Sequence, residues 1–298
     1  MSRIRIGTRS SALALWQAEH VKTSLESLGH QVTLSSITTT GDRLQDRRLE
    51  TVGGKGAFLK EIEEALLAGE IDLAVHSLKD VPTAMPAGLV LCAFLERADP
   101  RDALVSSGPR LAELGAGASV GTTSLRRRAL VGATRPDLKL LDLRGNVDTR
   151  LSRLREGRFD AIVLAMAGLI RLGRADEVTE VLDPRRFVPA PGQGAIALEC
   201  REEHQALRDA VAPLQHPATA RAVSAERAFL AALGGGCNLP LGAHAFASGP
   251  GLELVAFVGA PEGRATLYAE RHGEDPEALG RALADEMLKL GAGSLLGG

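Results

Sequence analysis

Little in this chain suits a membrane, a metal or a nucleic acid. No stretch reaches the roughly 20 apolar residues of a membrane span, and no long apolar segment with a small-residue cleavage site marks a secretory signal. The three cysteines, Cys92, Cys200 and Cys237, form no CxxC or Cys/His metal spacing and are odd in number. No metal is expected, and a reducing cytoplasm is the expected home. Net charge is −2, whereas a nucleic-acid binder normally carries a basic domain, so no nucleic-acid partner is expected. Aromatics are only 3% of residues, which leaves Ala, Leu and Val to build the core. What is present is an ordinary globular composition, 45% hydrophobic and 24% charged over 298 residues, enough for two or three domains. The basic residues are skewed, with 29 Arg against 6 Lys. Arginine is the better fork for planar carboxylates and phosphates, although base composition produces the same skew.

The order of apolar runs and turns reads as α/β. Ile4-Arg5-Ile6 alternates as a strand, Gly7 to Ser11 turns, and Ala12 to Leu28 has helical spacing before Gly29. Val120 to Ser124 repeats the theme: a strand, a Gly-Thr-x-Ser turn and a helix with Leu125, Arg126, Arg127 and Leu130. Gly69-Glu-Ile-Asp-Leu-Ala-Val75 is echoed by Gly157-Arg-Phe-Asp-Ala-Ile-Val163. The spacings differ, so this is two similar lobes and no strict repeat. Pro and Gly punctuate a crossover out of the first lobe at 98–102 and a return at 189–194. The expected division is residues 1–97 with 195–214 as lobe one, 98–194 as lobe two, and 217–298 as a small α+β domain. That last part should hold three antiparallel strands near 242–248, 252–258 and 264–271 and a closing helix.

Four places carry chemistry. Residues 72–82, DLAVHSLKDVP, end a buried strand in His76, Ser77, Lys79 and Asp80, and ligands of open α/β sheets bind at that edge. Asp80 sits one residue from an ammonium among apolar neighbours; the plainer reading is a surface Lys–Asp turn. In the Gly-Thr-x-Ser turns, Ser11, Thr122 and Ser124 read as helix N-caps or as part of an anion site. Arg9, Arg126 and Arg127 favour the anion, because cations in a helix's first turn oppose its dipole and need a compensating charge. In Leu143 to Arg150, Arg150 lies on the border of the apolar face made by Val147, Leu151 and Leu154, where it must snorkel or meet an acid. Arg171 follows the second lobe's strand as Asp80 follows the first. Finally, Cys237 stands in GGGCNLPLG, a loop whose glycines permit positive φ and close approach. That setting fits a nucleophile or an attachment point better than a core thiol, and no local histidine but His244 could serve it as a base.

Six motifs in order, GGKGAFLKE (53–61), HSLKDVP (76–82), SLRR (124–127), LRGNVDTR (143–150), PAPGQGA (189–195) and GGGCNLPLG (234–242), make the chain resemble the porphobilinogen deaminase (hydroxymethylbilane synthase) family along nearly its whole length. The resemblance implies two periplasmic-binding-protein-like lobes with chain crossovers, plus a small C-terminal α+β domain with a three-stranded antiparallel sheet. It implies a transferase that condenses four porphobilinogen molecules head to tail, losing ammonia each time, and hydrolyses off the linear tetrapyrrole hydroxymethylbilane. The primer it implies is a dipyrromethane cofactor held by a thioether to Cys237. The family's catalytic aspartate falls on Asp80, with Lys79 beside it. Its cofactor- and substrate-binding positions fall on Arg9, Ser11, Ser77, Lys79, Thr122, Ser124, Arg126, Arg127, Arg144, Gly145, Arg150 and Arg171, and Lys55 falls in a covering loop. Asp148 departs from the pattern by placing a carboxylate in a basic stretch. A cytoplasmic monomer is expected, with porphobilinogen as its partner.

Such a substrate explains the arginines, because each unit brings an acetate and a propionate that bidentate guanidinium contacts hold in fixed geometry. Loss of ammonia leaves an azafulvenium cation, and Asp80 is expected to stabilise it and to shuttle protons. Crossovers near Asp99 and Pro191 are the expected hinges. The alternative is a non-catalytic anion- or solute-binding protein of the periplasmic-binding-protein type. It accounts for the turns and the arginines, but leaves Asp80 and Cys237 without a role.

Overall fold

The computed structural model describes residues 2–39, 59–236, 239–260 and 263–296. The chain divides into two compact units, residues 1–97 with 195–220, and residues 98–194 with 221–298.

In the first unit the elements are β1 (Arg3–Arg9), α1 (Ala12–Ser27), β2 (Gln31–Ile37), α2 (Lys60–Leu67), β3 (Leu73–Ser77) and β4 (Leu89–Phe94). A further strand, β10 (Ile196–Arg201), and helix α6 (Gln205–Val211) come from much later in the chain. The strands order as β2-β1-β3-β10-β4. β1 runs parallel to β2 and β3, and β10 is antiparallel to both β3 and β4. The period of two in β1 buries Ile4 and Ile6. They meet Ala18, Val21 and Leu25 from α1 and Leu73, Val75, Ile196 and Leu198 from the sheet. The opposite face carries Ala74 against Ile62, Ala65 and Leu66 of α2. With both faces covered, β3 reads as a continuous apolar run until its end.

The second unit repeats that plan with β5 (Asp102–Ser106), β6 (Ser119–Gly121), α3 (Leu125–Thr134), β7 (Lys139–Leu141), α4 (Val147–Arg155), β8 (Ala161–Ala165), α5 (Met166–Arg171) and β9 (Glu180–Val181). Its order is β7-β6-β8-β5-β9, with β6 parallel to β7 and β8 and β5 antiparallel to β8 and β9. In each sheet the antiparallel strand lies between its third and last members, and is the strand joined to a crossover. Gly69 and Gly157, the glycines of the sequence echo, have φ of +70° and +71°. Each closes a helix in the left-handed conformation that favours glycine.

Helix α7 (Pro217–Ala232) leads to a separate antiparallel sheet, β11 (Leu241–Ser248), β12 (Gly251–Gly259) and β13 (Thr266–Gly273), followed by α8 (Pro276–Lys289) and α9 (Ala292–Leu296). One face of this sheet packs Leu254, Ala256 and Val258 against Phe229, Leu283 and Met287. Val255 and Phe257 on the other face join the core built on α3, so contacts group this sheet with residues 98–194.

Candidate active site

In the first unit, polar side chains gather where β1 and β3 end. Ser11 caps α1, its Oγ accepting from Ala14 N at 3.3 Å. After Ser77 the chain makes a single 3-10 turn over Leu78–Asp80. Leu78 and Val81 turn into the core, while Asp80 is exposed. The apolar neighbours of the carboxylate in sequence therefore anchor its turn and do not enclose it. Arg9, Ser11, Gln17, His76, Ser77 and Asp80 line one cavity of about 70 Å³.

Two of its residues carry partners invisible in the motifs. Gln17 is 1% exposed and its Nε2 donates to Ser77 Oγ at 2.9 Å, fixing the serine's rotamer. A glutamine on the stripe of Ala18, Val21 and Leu25 was the signal that could have found it. His76 Nε2 lies 2.8 Å from Oε2 of Glu199, which is wholly buried on β10. A glutamate inside the run AIALEC was the corresponding signal. Glu63 of α2 stands near this pair; desolvation, then the charge of Glu199, pushes its carboxyl above the ordinary range.

In the second unit, Ser124 caps α3 by accepting from Arg127 N, and Thr122 Oγ1 accepts from Ser124 N at 3.3 Å. The two arginines of the first turn are buried, and an anion compensates them: Asp102, the first residue of β5. Arg126 Nη1 donates to Asp102 Oδ2 at 2.7 Å and to the Val188 carbonyl at 2.7 Å. Arg127 donates Nε and Nη2 to Asp102 Oδ1 at 3.1 and 2.7 Å, and Nη1 to the Val163 carbonyl at 3.0 Å. Gln193 Nε2 adds a fourth bond to Asp102 at 2.9 Å. Desolvation drives the Asp102 carboxyl up, but Arg126 and then Arg127 outweigh it and hold it far below the ordinary range. The charge demanded by the sequence is thus supplied in part from within. It does not use up the fork, since no hydrogen bond among the described residues involves Arg126 Nε or Nη2.

Asn146 caps α4 through Thr149 N at 2.9 Å. Gly145, at φ +104°, lets that cap close, because a Cβ there would lie 2.7 Å from the Thr149 methyl. Arg150 Nε donates to the Gly145 carbonyl at 2.8 Å and the Arg144 carbonyl accepts from Arg153, so Arg144, Gly145 and Arg150 form one half-buried turn. Asp148 is exposed and pairs with Arg174 at 3.3 Å, which removes it as a competitor for those arginines. Arg171, in the last turn of α5, is buried and donates Nη2 to the Gly194 carbonyl at 2.7 Å; burial pulls its guanidinium below the usual arginine range.

Cys237 and Lys55 lie outside the described residues. Before Cys237, Gly234 and Gly235 have φ of +99° and +67°, the left-handed values that the glycine run was expected to supply. In the first unit Arg9 stands beside a capped helix start; in the second, Arg126 keeps nitrogens to spare beside another, and residues 144–150 form a basic turn. Each by itself is chemistry that takes a carboxylate.

Two family models match the chain: "Porphobilinogen deaminase, dipyromethane cofactor binding domain" over residues 4–209, and "Porphobilinogen deaminase, C-terminal domain" over residues 220–289. The chain is 50% identical to the porphobilinogen deaminase of Geobacter sulfurreducens, over 99% of this chain and 94% of that one. It is 51% identical to that of Roseiflexus castenholzii, over 99% of each. Among solved structures, the methionine-binding protein MetQ is similar at TM-score 0.45 and 16% identity, covering 73% of this chain and 92% of that one. A periplasmic substrate-binding protein from Coxiella burnetii scores 0.44 at 17% identity, covering 73% and 94%. Neither likeness bears on chemistry.

Proposed function

The chain belongs to the porphobilinogen deaminase family, and from that premise we propose that Asp80 is its catalytic carboxylate and Cys237 the point where its cofactor is attached. The reaction is the family's: four porphobilinogen molecules are condensed head to tail with loss of ammonia, and the linear tetrapyrrole hydroxymethylbilane is released by hydrolysis. The dipyrromethane, when bound, supplies the free pyrrole carbon at which the chain starts to grow.

This chain's residues have two tasks. Carboxylates of the substrate and primer go to guanidinium groups and helix starts: Arg9, Ser11, Ser77 and Lys79 in the first unit, and Thr122, Ser124, Arg126, Arg127, Arg144, Gly145, Arg150 and Arg171 in the second. Charge-assisted contacts of this kind are short and strong. Positive charge that develops when ammonia leaves porphobilinogen is stabilised by Asp80, whose backbone ends the 78–80 turn after β3. The same carboxylate takes the proton released from the attacking pyrrole carbon. Lys55 is assigned to a covering loop.

The observation that supports the reading is the cavity that Asp80 shares with Arg9 and Ser11, a carboxylate beside a guanidinium and a helix start, the groups suited to anions. Asp80→Asn keeps the shape and removes the charge. A hundredfold or greater loss of kcat is expected, about 2.7 kcal/mol of barrier; near-normal turnover by a cofactor-loaded variant would end Asp80's role. The three-part division of the chain, a cytoplasmic location, a monomeric state and the absence of a nucleic-acid partner belong to the same proposal. Sedimentation at micromolar concentration tests the oligomeric state.

A further inference from the structure

Under the proposed chemistry Asp80 has conflicting duties. It must be ionised to stabilise one cation, yet it holds a proton after each new carbon–carbon bond has formed. A second group in the same cavity would relieve it. The Glu199 carboxylate is wholly buried, its Oε1 has no hydrogen-bond partner, and its Oε2 meets only His76 among the described residues. A carboxylate so placed needs a proton or a cation beside it. Glu63, from the facing helix, adds negative charge to the surroundings and makes an unpaired ion there less favourable still.

We propose that His76 and Glu199 act as one positioning pair for Asp80: they share a single proton across the 2.8 Å contact, which fixes by Nε2 an imidazole that lines the same cavity as Asp80 and leaves its Nδ1 available to that carboxylate. The observation behind this is that the His76 ring makes no other hydrogen bond among the described residues, although it walls the cavity. The logic is that of a base oriented by a buried acid. The charged groups around His76 among the described residues are Glu199 from β10, Glu63 from α2, and Arg9 from β1 and Asp80 from the turn after β3, which line its cavity. The net-neutral pair can hold an N–H at Nδ1 without placing a bare charge in the core. An N–H there steadies the Asp80 carboxylate by donation, directly or through one water.

The inference rests on the Asp80 reading, and the experiment separates the two. His76→Gln, Glu199→Gln, the double variant and Asp80→Asn are purified, and cofactor loading is checked by intact mass. We expect each of the first two to keep its cofactor, to lose about tenfold in kcat, and to hold KM for porphobilinogen within about twofold. The double variant should be no slower than the slower single one, because the residues act as a unit. Wild-type kcat in a loaded His76→Gln protein, with Asp80→Asn inactive, overturns this inference alone. Activity in Asp80→Asn overturns the reading beneath it. Should the glutamine variants fail to fold, ring ¹⁵N shifts of His76 in the unmodified holoenzyme decide. A protonated Nδ1 whose resonance moves on adding porphobilinogen supports the pair, and one that does not respond refutes it.

Discussion

Asp102→Asn is the sharpest probe of the second unit. The carboxylate is 0% exposed and accepts four hydrogen bonds. Three converge on Oδ1, from Arg127 Nε, Arg127 Nη2 and Gln193 Nε2, and one reaches Oδ2 from Arg126 Nη1. An asparagine would keep its oxygen on the three-bond side and leave its amide nitrogen facing Arg126, donor against donor. Two buried guanidinium groups would then share no counter-charge. Removing one partner of a buried ion pair costs about 3–5 kcal/mol, and at about 2–4 °C per kcal/mol for a unit of this size the midpoint should fall by about 6–20 °C. The pH dependence fixes the sign. The folded-state carboxyl is depressed, so its contribution is fully present above about pH 4, where the unfolded group is ionised, and is lost as pH falls through the depressed value. Scanning calorimetry of both proteins at neutral pH and at progressively lower pH should therefore show a gap that narrows below about pH 4. A variant melting within about 2 °C of the parent at neutral pH would refute the argument.

Other outcomes follow from neighbouring features. Denatured holoprotein should titrate two thiols, Cys92 and Cys200, although the sequence has three, and Cys237→Ser should lose the mass of two pyrrole units; a third thiol in loaded protein would exclude the thioether. Native labelling should be slow, since Cys200 is wholly buried and the hydrogen bond with Cys200, then burial, raises the Cys92 thiol. Gly194→Ala places a Cβ 2.5 Å from the Ala98 carbonyl at φ +89°, which should cost at least about 1–3 kcal/mol in denaturant unfolding and disturb the carbonyl that holds Arg171.

What could be read from the sequence was what is local. Ser11 and Ser124 cap helices three residues away, and the glycines at 69, 157 and 234–235 take the φ values that end a helix or open a loop. The two lobes announced themselves through two Gly-Thr-x-Ser turns. What stayed hidden was long-range partnership. The need for an anion beside Arg126 and Arg127 was legible, but Asp102 lies 24 residues upstream, in a segment whose Pro and Gly neighbours read as crossover. Glu199 meets His76 across 123 residues, a pairing that only the antiparallel register of β10 on β3 creates. The sequence left Asp80 open between a carboxylate among apolar neighbours and a surface turn; only the geometry of the turn, which buries Leu78 and Val81 and leaves Asp80 exposed, decides between them.

β10 has a consequence for how the molecule is made. It is an interior strand of the first sheet, flanked by β3 and β4, yet it leaves the ribosome after all of β5 to β9. The unit whose synthesis begins first is thus completed late, when about two-thirds of the chain has emerged. Until then β3 and β4 each offer an unpaired edge, the kind of surface that invites pairing with another chain. All five strands of the second sheet, residues 102–181, precede Ile196 and can pair without it, although Val255 and Phe257 complete its core later, so a nascent chain from which residues 1–195 have emerged should protect the second sheet from proteolysis before the first.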